Sequence, residues 1–140
     1  MMGTTFQLDV VTPESLLVSG QATFITAPGK DGRFGVLAGH TPFVSLLMAG
    51  ELTIIMERGT PEQRYALSGG FAEVANDRVT LLVERALEKS QIDLNAAVRE
   101  EQEAIEQLAQ LPQGGPEALV WGRRRDFAKT CQQLARATNA

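Results

Sequence analysis

Tyr65-Ala66-Leu67-Ser68-Gly69-Gly70-Phe71-Ala72-Glu73-Val74 is the stretch on which the reading of the fold turns. Tyr65 and Leu67 alternate with smaller neighbours, a double glycine interrupts, and a second short β-prone run follows at once. A related stretch lies upstream: Pro28-Gly29-Lys30-Asp31-Gly32-Arg33-Phe34-Gly35-Val36-Leu37-Ala38-Gly39-His40-Thr41-Pro42. Glycines this close together specify backbone shape, because they permit positive φ and the close approach of a neighbouring strand. They supply no nucleophile, base or metal ligand. Both stretches are built to fit against something.

Outward from these stretches, the chain from Thr5 to about Glu84 reads as short strands separated by turn signals, which predicts a sandwich or barrel. Thr5–Val11 sets Phe6, Leu8 and Val10 against Gln7 and Asp9, then stops at Thr12-Pro13. Ala22–Ala27 and Phe34–Leu37 flank the Gly29–Gly32 turn. Glu51–Glu57 puts Leu52, Ile54 and Met56 on one face. Gln63–Ser68, Phe71–Ala75 and Arg78–Glu84 complete the set, while His40–Met48 fits either a strand or a helical turn. Alternation of this kind buries one face of an antiparallel sheet.

Near Lys89 the period changes. Ser90-Gln91-Ile92-Asp93 fits a capping box, and a helix is predicted from there to about Leu111, with Leu94, Val98, Ile105 and Leu108 as its apolar seam and Glu101 in the missing slot. Leu111-Pro112-Gln113-Gly114-Gly115-Pro116 breaks it. A second helix from about Glu117 carries Val120, Phe127, Cys131 and Leu134, with Arg124 in the gap and Gly122 weakening its first turns. The expected architecture is mainly β plus α: an antiparallel β-sandwich over 1–88, then an antiparallel helical hairpin over 89–140. Two such helices bury little alone, so the hairpin should dock on the β domain or on a partner.

A length of 140 residues with 44% apolar content suits one core with a helical appendage. The net charge of −4 argues against a nucleic-acid binder. Charge is segregated, with Asp93, Glu100, Glu101, Glu103 and Glu106 on the first helix and Arg123, Arg124, Arg125, Lys129 and Arg136 on the second. A single cysteine points to a reducing compartment. The start of the chain lacks a signal-peptide pattern, and no apolar run approaches the roughly 20 residues that span a bilayer, so membrane association is expected only through a partner.

Catalysis has little to work with. His40 is the sole histidine, read as a turn residue bonding nearby backbone, and Cys131 as a small apolar residue of the hairpin core. The glycines match no phosphate-binding loop, and the acids around Glu100–Glu106 read as a solvated face; no metal or cofactor is expected. The run Arg123-Arg124-Arg125 spreads around the helix, so Arg124 is expected to face the seam. A charge there is costly unless a carboxylate or phosphate answers it, which prepares the hairpin for an acidic partner or an anion.

These residues carry a resemblance. Phe6-Gln7-Leu8-Asp9-Val10-Val11-Thr12-Pro13-Glu14, Ser19-Gly20, Phe34-Gly35-Val36-Leu37-Ala38-Gly39-His40-Thr41-Pro42 and Ser68-Gly69-Gly70-Phe71-Ala72-Glu73-Val74, in that order, resemble the epsilon subunit of bacterial F-type ATP synthases. The resemblance implies a non-catalytic rotor subunit of the central stalk, peripheral on the cytoplasmic side of the inner membrane. Its partners would be the gamma subunit, the ring of c subunits and, through the hairpin, the catalytic head. It implies ring or gamma contacts for Lys30, Asp31, Arg33, His40 and Thr41. It also implies a brake on ATP hydrolysis by the hairpin, for which the charge pattern nominates Arg123, Arg124, Arg125 and Lys129. Some members bind ATP through an Ile/Leu-Asp-x-x-Arg-Ala motif. Here Ile92 and Asp93 match, but Ala96 replaces the arginine and Arg99 is the only nearby base, so nucleotide binding is expected to be weak. Two other readings stay open: a free-standing sandwich adaptor whose hairpin binds an acidic protein, and a small enzyme using His40.

Overall fold

The computed structural model describes residues 4–57 and 60–137. Its strands are β1 (Phe6–Val11), β2 (Leu16–Gly29), β3 (Gly32–Leu37), β4 (Phe43–Leu47), β5 (Gly50–Met56), β6 (Gln63–Leu67), β7 (Gly70–Ala75), β8 (Arg78–Val83) and β9 (Ala86–Glu88). Two helices follow, α1 (Leu94–Leu108) and α2 (Pro116–Arg136). The hydrogen-bonded path runs β1-β8-β7-β4-β2-β5-β6-β9, with β3 beside β2 and β1 also paired to β2. It folds back on itself as a sandwich around Leu8, Val10, Ile25, Leu52, Ile54 and Leu81, all fully buried.

The expected strands are present, with four differences, the first being β9, which lies beyond the last expected strand and pairs antiparallel with β6. The ambiguous His40–Met48 stretch contains a true strand, β4, paired antiparallel with β7. β2 is far longer than Ala22–Ala27, because its first half pairs with β1 and its second with β3 and β5, the register slipping between Ala22 and Phe24. A bulge there lets one strand serve both layers. The sheet is also not wholly antiparallel: β1 and β8 run parallel, from Gln7↔Arg78 to Val11↔Leu82.

The double glycine has a specific cause. Gly70 has φ +154°, and a Cβ on it would lie 2.1 Å from the Leu82 carbonyl oxygen of the neighbouring strand. Only glycine lets β7 start that close to β8.

The helix boundaries depart from the sequence reading. Ser90 does not cap α1. A single 3-10 turn, Lys89–Gln91, closes its own box between Glu88 and Gln91, and Asp93 is the cap, its carboxylate accepting from the Ala96 amide at 3.1 Å. Asp93 sits three residues ahead of that amide, where an N-cap oxygen reaches most directly. α1 ends at Leu108, and a tighter turn, with the Leu111 amide on the Leu108 carbonyl, carries the chain to the break.

The seam on α1 is also shifted by one position. Ala97 and Ala104 are buried, while Val98 and Ile105 are 41% and 44% exposed. The small side chains let α1 lie close against α2, and the larger ones turn outward. Glu101 fills its slot by accepting from Gln132 Nε2 at 2.8 Å. On α2, Phe127, Cys131 and Leu134 are buried as expected, but Val120 is exposed and nothing before Phe127 is buried. The hairpin therefore docks by the C-terminal half of α2, where Phe127, Cys131 and Leu134 meet Ala66, Ala97, Leu87 and Ile92.

Candidate functional site

The ring-or-gamma residues do not form one patch. Lys30 and Asp31 are the exposed two-residue turn between Gly29 and Gly32, which face each other across β2 and β3. The Lys30 amide donates to the Leu46 carbonyl at 2.9 Å, and Lys30 shares a cleft with Arg123 and Asp126 of α2. Arg33, at the start of β3, donates from Nη2 to Thr26 Oγ1 at 2.7 Å. His40 and Thr41 lie past the other end of β3, about 20 Å of strand away. There the Gly39 amide donates to Asp77 Oδ1 at 3.3 Å, tying this turn to the β7–β8 turn. His40 bonds backbone as expected, its Nδ1 2.7 Å from the Thr41 carbonyl oxygen, and its ring packs 5.0 Å from Phe43.

Between these ends the outer face of one layer carries an apolar row. Register places Val11, Leu82, Phe71 and Leu46 side by side across β1, β8, β7 and β4. Leu46 and Leu82 are about half exposed, at 53% and 49%. The next row out is Asp9, Thr80, Glu73 and Val44, mostly polar. Asp9 is held there by Ser19, Gln7 and Arg78, whose hydrogen bonds keep its carboxyl below the usual value. Sequence reading missed the apolar row. Its signal was the consecutive pairs Val10-Val11, Leu46-Leu47 and Leu81-Leu82: in a strand, one member of each pair must point away from the core.

A groove of about 590 Å³ opens where the hairpin meets the sandwich, lined by Ser68, Glu84, Arg85, Ala96, Arg99, Glu100, Glu103, Val120, Arg123, Arg124 and Phe127. Four arginines here face three glutamates. Arg85 forks onto Glu100, with Nη1–Oε1 at 2.7 Å and Nη2–Oε2 at 3.5 Å, and its guanidinium lies 4.3 Å from the Phe127 ring centroid. Below it, burial pushes the Cys131 thiol up to about 11, with Arg85 pulling weakly the other way. Such a thiol is protonated at neutral pH and a poor nucleophile.

The family model described as ATP synthase, Delta/Epsilon chain, beta-sandwich domain matches residues 5–89. The ATP synthase epsilon chain of Magnetococcus marinus is 41% identical over 134 residues, covering 96% of this chain and 95% of that one. This chain belongs to the ATP synthase delta/epsilon family. The epsilon chain of Anaeromyxobacter dehalogenans is 40% identical over 133 residues, covering 95% and 96%. The fold is shared with a chain of the Euglena gracilis mitochondrial ATP synthase, at a TM-score of 0.76 and 22% identity over 93% of this chain and 81% of that one. A chain of the Tetrahymena thermophila central stalk and c-ring structure aligns at 0.61 and 12% identity, covering 94% and 99%. As a member, the chain is a non-catalytic central-stalk subunit that couples the catalytic head to the membrane ring.

Within this family frame the nucleotide-motif residues separate. Ile92 packs into the hairpin core, Asp93 is spent on capping α1, and only Arg99 and Ala96 line the groove. Of the basic residues, Arg123 and Arg124 line the groove, while Arg125 pairs with Asp126 at 3.1 Å and Lys129 is exposed on α2. Arg124 is exposed, so the expectation that it faces the seam is corrected. Arg85 was not anticipated. It is an isolated arginine between two strands, and its partners are brought to it only by the docking of the hairpin.

Proposed function

We propose that the sandwich, residues 1–88, attaches this subunit to the stalk and that the hairpin, residues 89–140, is a movable brake on ATP hydrolysis. One observation carries the reading. The sandwich closes a complete core of its own, whereas the hairpin is joined to it by a small apolar cluster centred on the C-terminal half of α2 and by the half-exposed Arg85–Glu100 pair. An element held that lightly can leave without unfolding what it leaves.

The apolar row Val11, Leu82, Phe71 and Leu46 meets the gamma subunit, since an exposed apolar strip rimmed by Asp9 and Glu73 has the composition of an interface. Lys30, Asp31 and Arg33 at one end, and His40 and Thr41 at the other, divide the remaining contacts between gamma and the ring of c subunits. Arg123, Arg124, Arg125 and Lys129 meet carboxylates of the catalytic head once the hairpin extends. Among the described residues no helix is long and apolar enough to cross a membrane. The subunit sits peripherally on the cytoplasmic side of the bacterial inner membrane, held by the complex.

The test is truncation after Glu88. The shortened chain still joins gamma, and the complex hydrolyses ATP faster than with the full chain. A shortened chain that is unfolded by circular dichroism, or folded yet unable to bind gamma, overturns the division of labour. Leu46→Glu with Leu82→Glu keeps the fold, since both side chains already face solvent, but abolishes gamma binding. Retained binding by that folded variant removes the apolar row from the interface.

A further inference from the structure

We propose that Arg85 is the latch that sets how often the hairpin is docked. The inference rests on the reading of the hairpin as movable. Arg85 is anchored to the sheet at its backbone, its amide donating to Ser68 Oγ at 2.8 Å and its carbonyl accepting from the Ser68 amide at 3.0 Å. From that fixed base its guanidinium reaches both helices, forked on Glu100 of α1 and stacked on Phe127 of α2.

Position gives this contact its leverage. Phe127 is the first buried residue of α2, and the helix from Pro116 to Asp126 has none. Arg85 therefore stands where docking begins, and peeling from the loop end must break it first. Beside it, among the described residues, Ala66 and Leu87 of the sandwich pack on the apolar cluster of Phe127, Cys131 and Leu134. The hydrophobic attraction that holds those residues together is non-directional. A planar fork with a ring beneath it holds one geometry.

The pair is half in water: the side chains of Arg85 and Glu100 are 44% and 29% exposed. Exposed pairs and cation–π contacts are each modest, so together they hold the docked state by about tenfold. That suits a latch. It is strong enough to bias the equilibrium and weak enough to open. The same exposure makes it sensitive to salt.

The single thiol supplies the readout. Cys131 is 3% exposed and clusters with Ala66 and Leu87 of the sandwich as well as with Ala97 of α1, so departure of the hairpin would strip the sandwich side of its cover. In the isolated full chain, Arg85→Ala raises the rate of Cys131 alkylation by iodoacetamide about tenfold. Arg85→Lys, which keeps charge but loses the fork, gives a smaller rise. Added salt accelerates wild type but not Arg85→Ala. The sign is diagnostic, because removing the positive charge without release slows alkylation by disfavouring the thiolate. Amide exchange is followed in parallel, and α2 loses protection while β7 and β8 do not.

An alkylation rate in Arg85→Ala within about twofold of wild type, or below it, overturns the latch. Equal loss of protection in β7 and β8 also overturns it, since Arg85 would then stabilise the whole fold. The assembled complex separates the two ideas. If Arg85→Ala frees the thiol but hydrolysis is unchanged, the latch stands and the brake reading fails. If hydrolysis changes while the thiol stays shielded, the latch is wrong.

Discussion

The Arg124 guanidinium lies over the Trp121 indole, 4.7 Å from the ring centroid, one turn back on the same helix. An arginine whose spacing assigns it to the apolar seam thus stays in contact with water on the rim of the groove, and its desolvation cost is avoided. Arg123 lines the same groove. In the docked hairpin both are available to exchange partners.

That availability sets the first expectation. Replacing Arg123, Arg124 and Arg125 with alanine is expected to raise the ATP hydrolysis rate of the assembled enzyme while leaving incorporation unchanged, since the proposed division of labour puts attachment in the sandwich. Charges closing on carboxylates at a partly desolvated interface are worth a few kcal/mol, whereas on a solvated face they are worth almost nothing. Raised ionic strength mimics the substitution in part. Should truncation after Glu88 activate the enzyme and the triple variant not, the brake works through packing.

Nucleotide binding to the isolated chain is expected to be weaker than micromolar when measured by calorimetric titration. Ala96 lines the groove where the family's ATP-binding motif has arginine, and Asp93 is occupied with the Ala96 amide. A missing charge-assisted contact costs about 1.5–3 kcal/mol, one to two decades in affinity. Ala96→Arg recovers roughly that much. Micromolar binding by the wild type contradicts the account.

Acid stability carries a signature of Asp9. Hydrogen bonds from Ser19 and Gln7, and the Arg78 charge, lower its pKa below 3.8 in the folded chain. A depressed folded pKa contributes stability that is present above the unfolded value and lost as pH falls through the folded one. Asp9→Asn therefore destabilises the chain at neutral pH and flattens the decline in urea midpoint below pH 3.8. A parallel decline in both proteins rejects the role.

Gly70→Ala is severe. The added methyl meets the Leu82 carbonyl oxygen at 2.1 Å, and backbone cannot rotate aside as a side chain does. The expected loss is about 3 kcal/mol or more, read as a lower urea midpoint at unchanged slope. Gly122→Ala, on a helix with nothing within 4 Å, is stabilising by up to about 1 kcal/mol.

Most strands and both helices were legible because their signals are local. Alternation across Phe6–Val11, the turn glycines and the break at Pro112–Pro116 each act over a few residues. The site was legible in part. His40 bonds its own turn as its setting predicts, and Ala96 marks the departure from the nucleotide motif. The spacing of Val98 and Ile105 misled, because periodicity marks a stripe but not which neighbour, Ala97 or Val98, the partner helix approaches.

The sequence by itself determined the division into a glycine-punctuated β part and a charge-segregated helical part, since propensity, alternation and turn chemistry are properties of adjacent residues. Only the tertiary structure decided that β1 lies parallel to β8, that Leu46, Phe71 and Leu82 share one exposed row, and that Arg85 grips Glu100 and Phe127. Those are meetings between residues far apart in the chain. They are set by how two layers and a hairpin bury their apolar faces together, and no local signal records which distant partner each side chain will find.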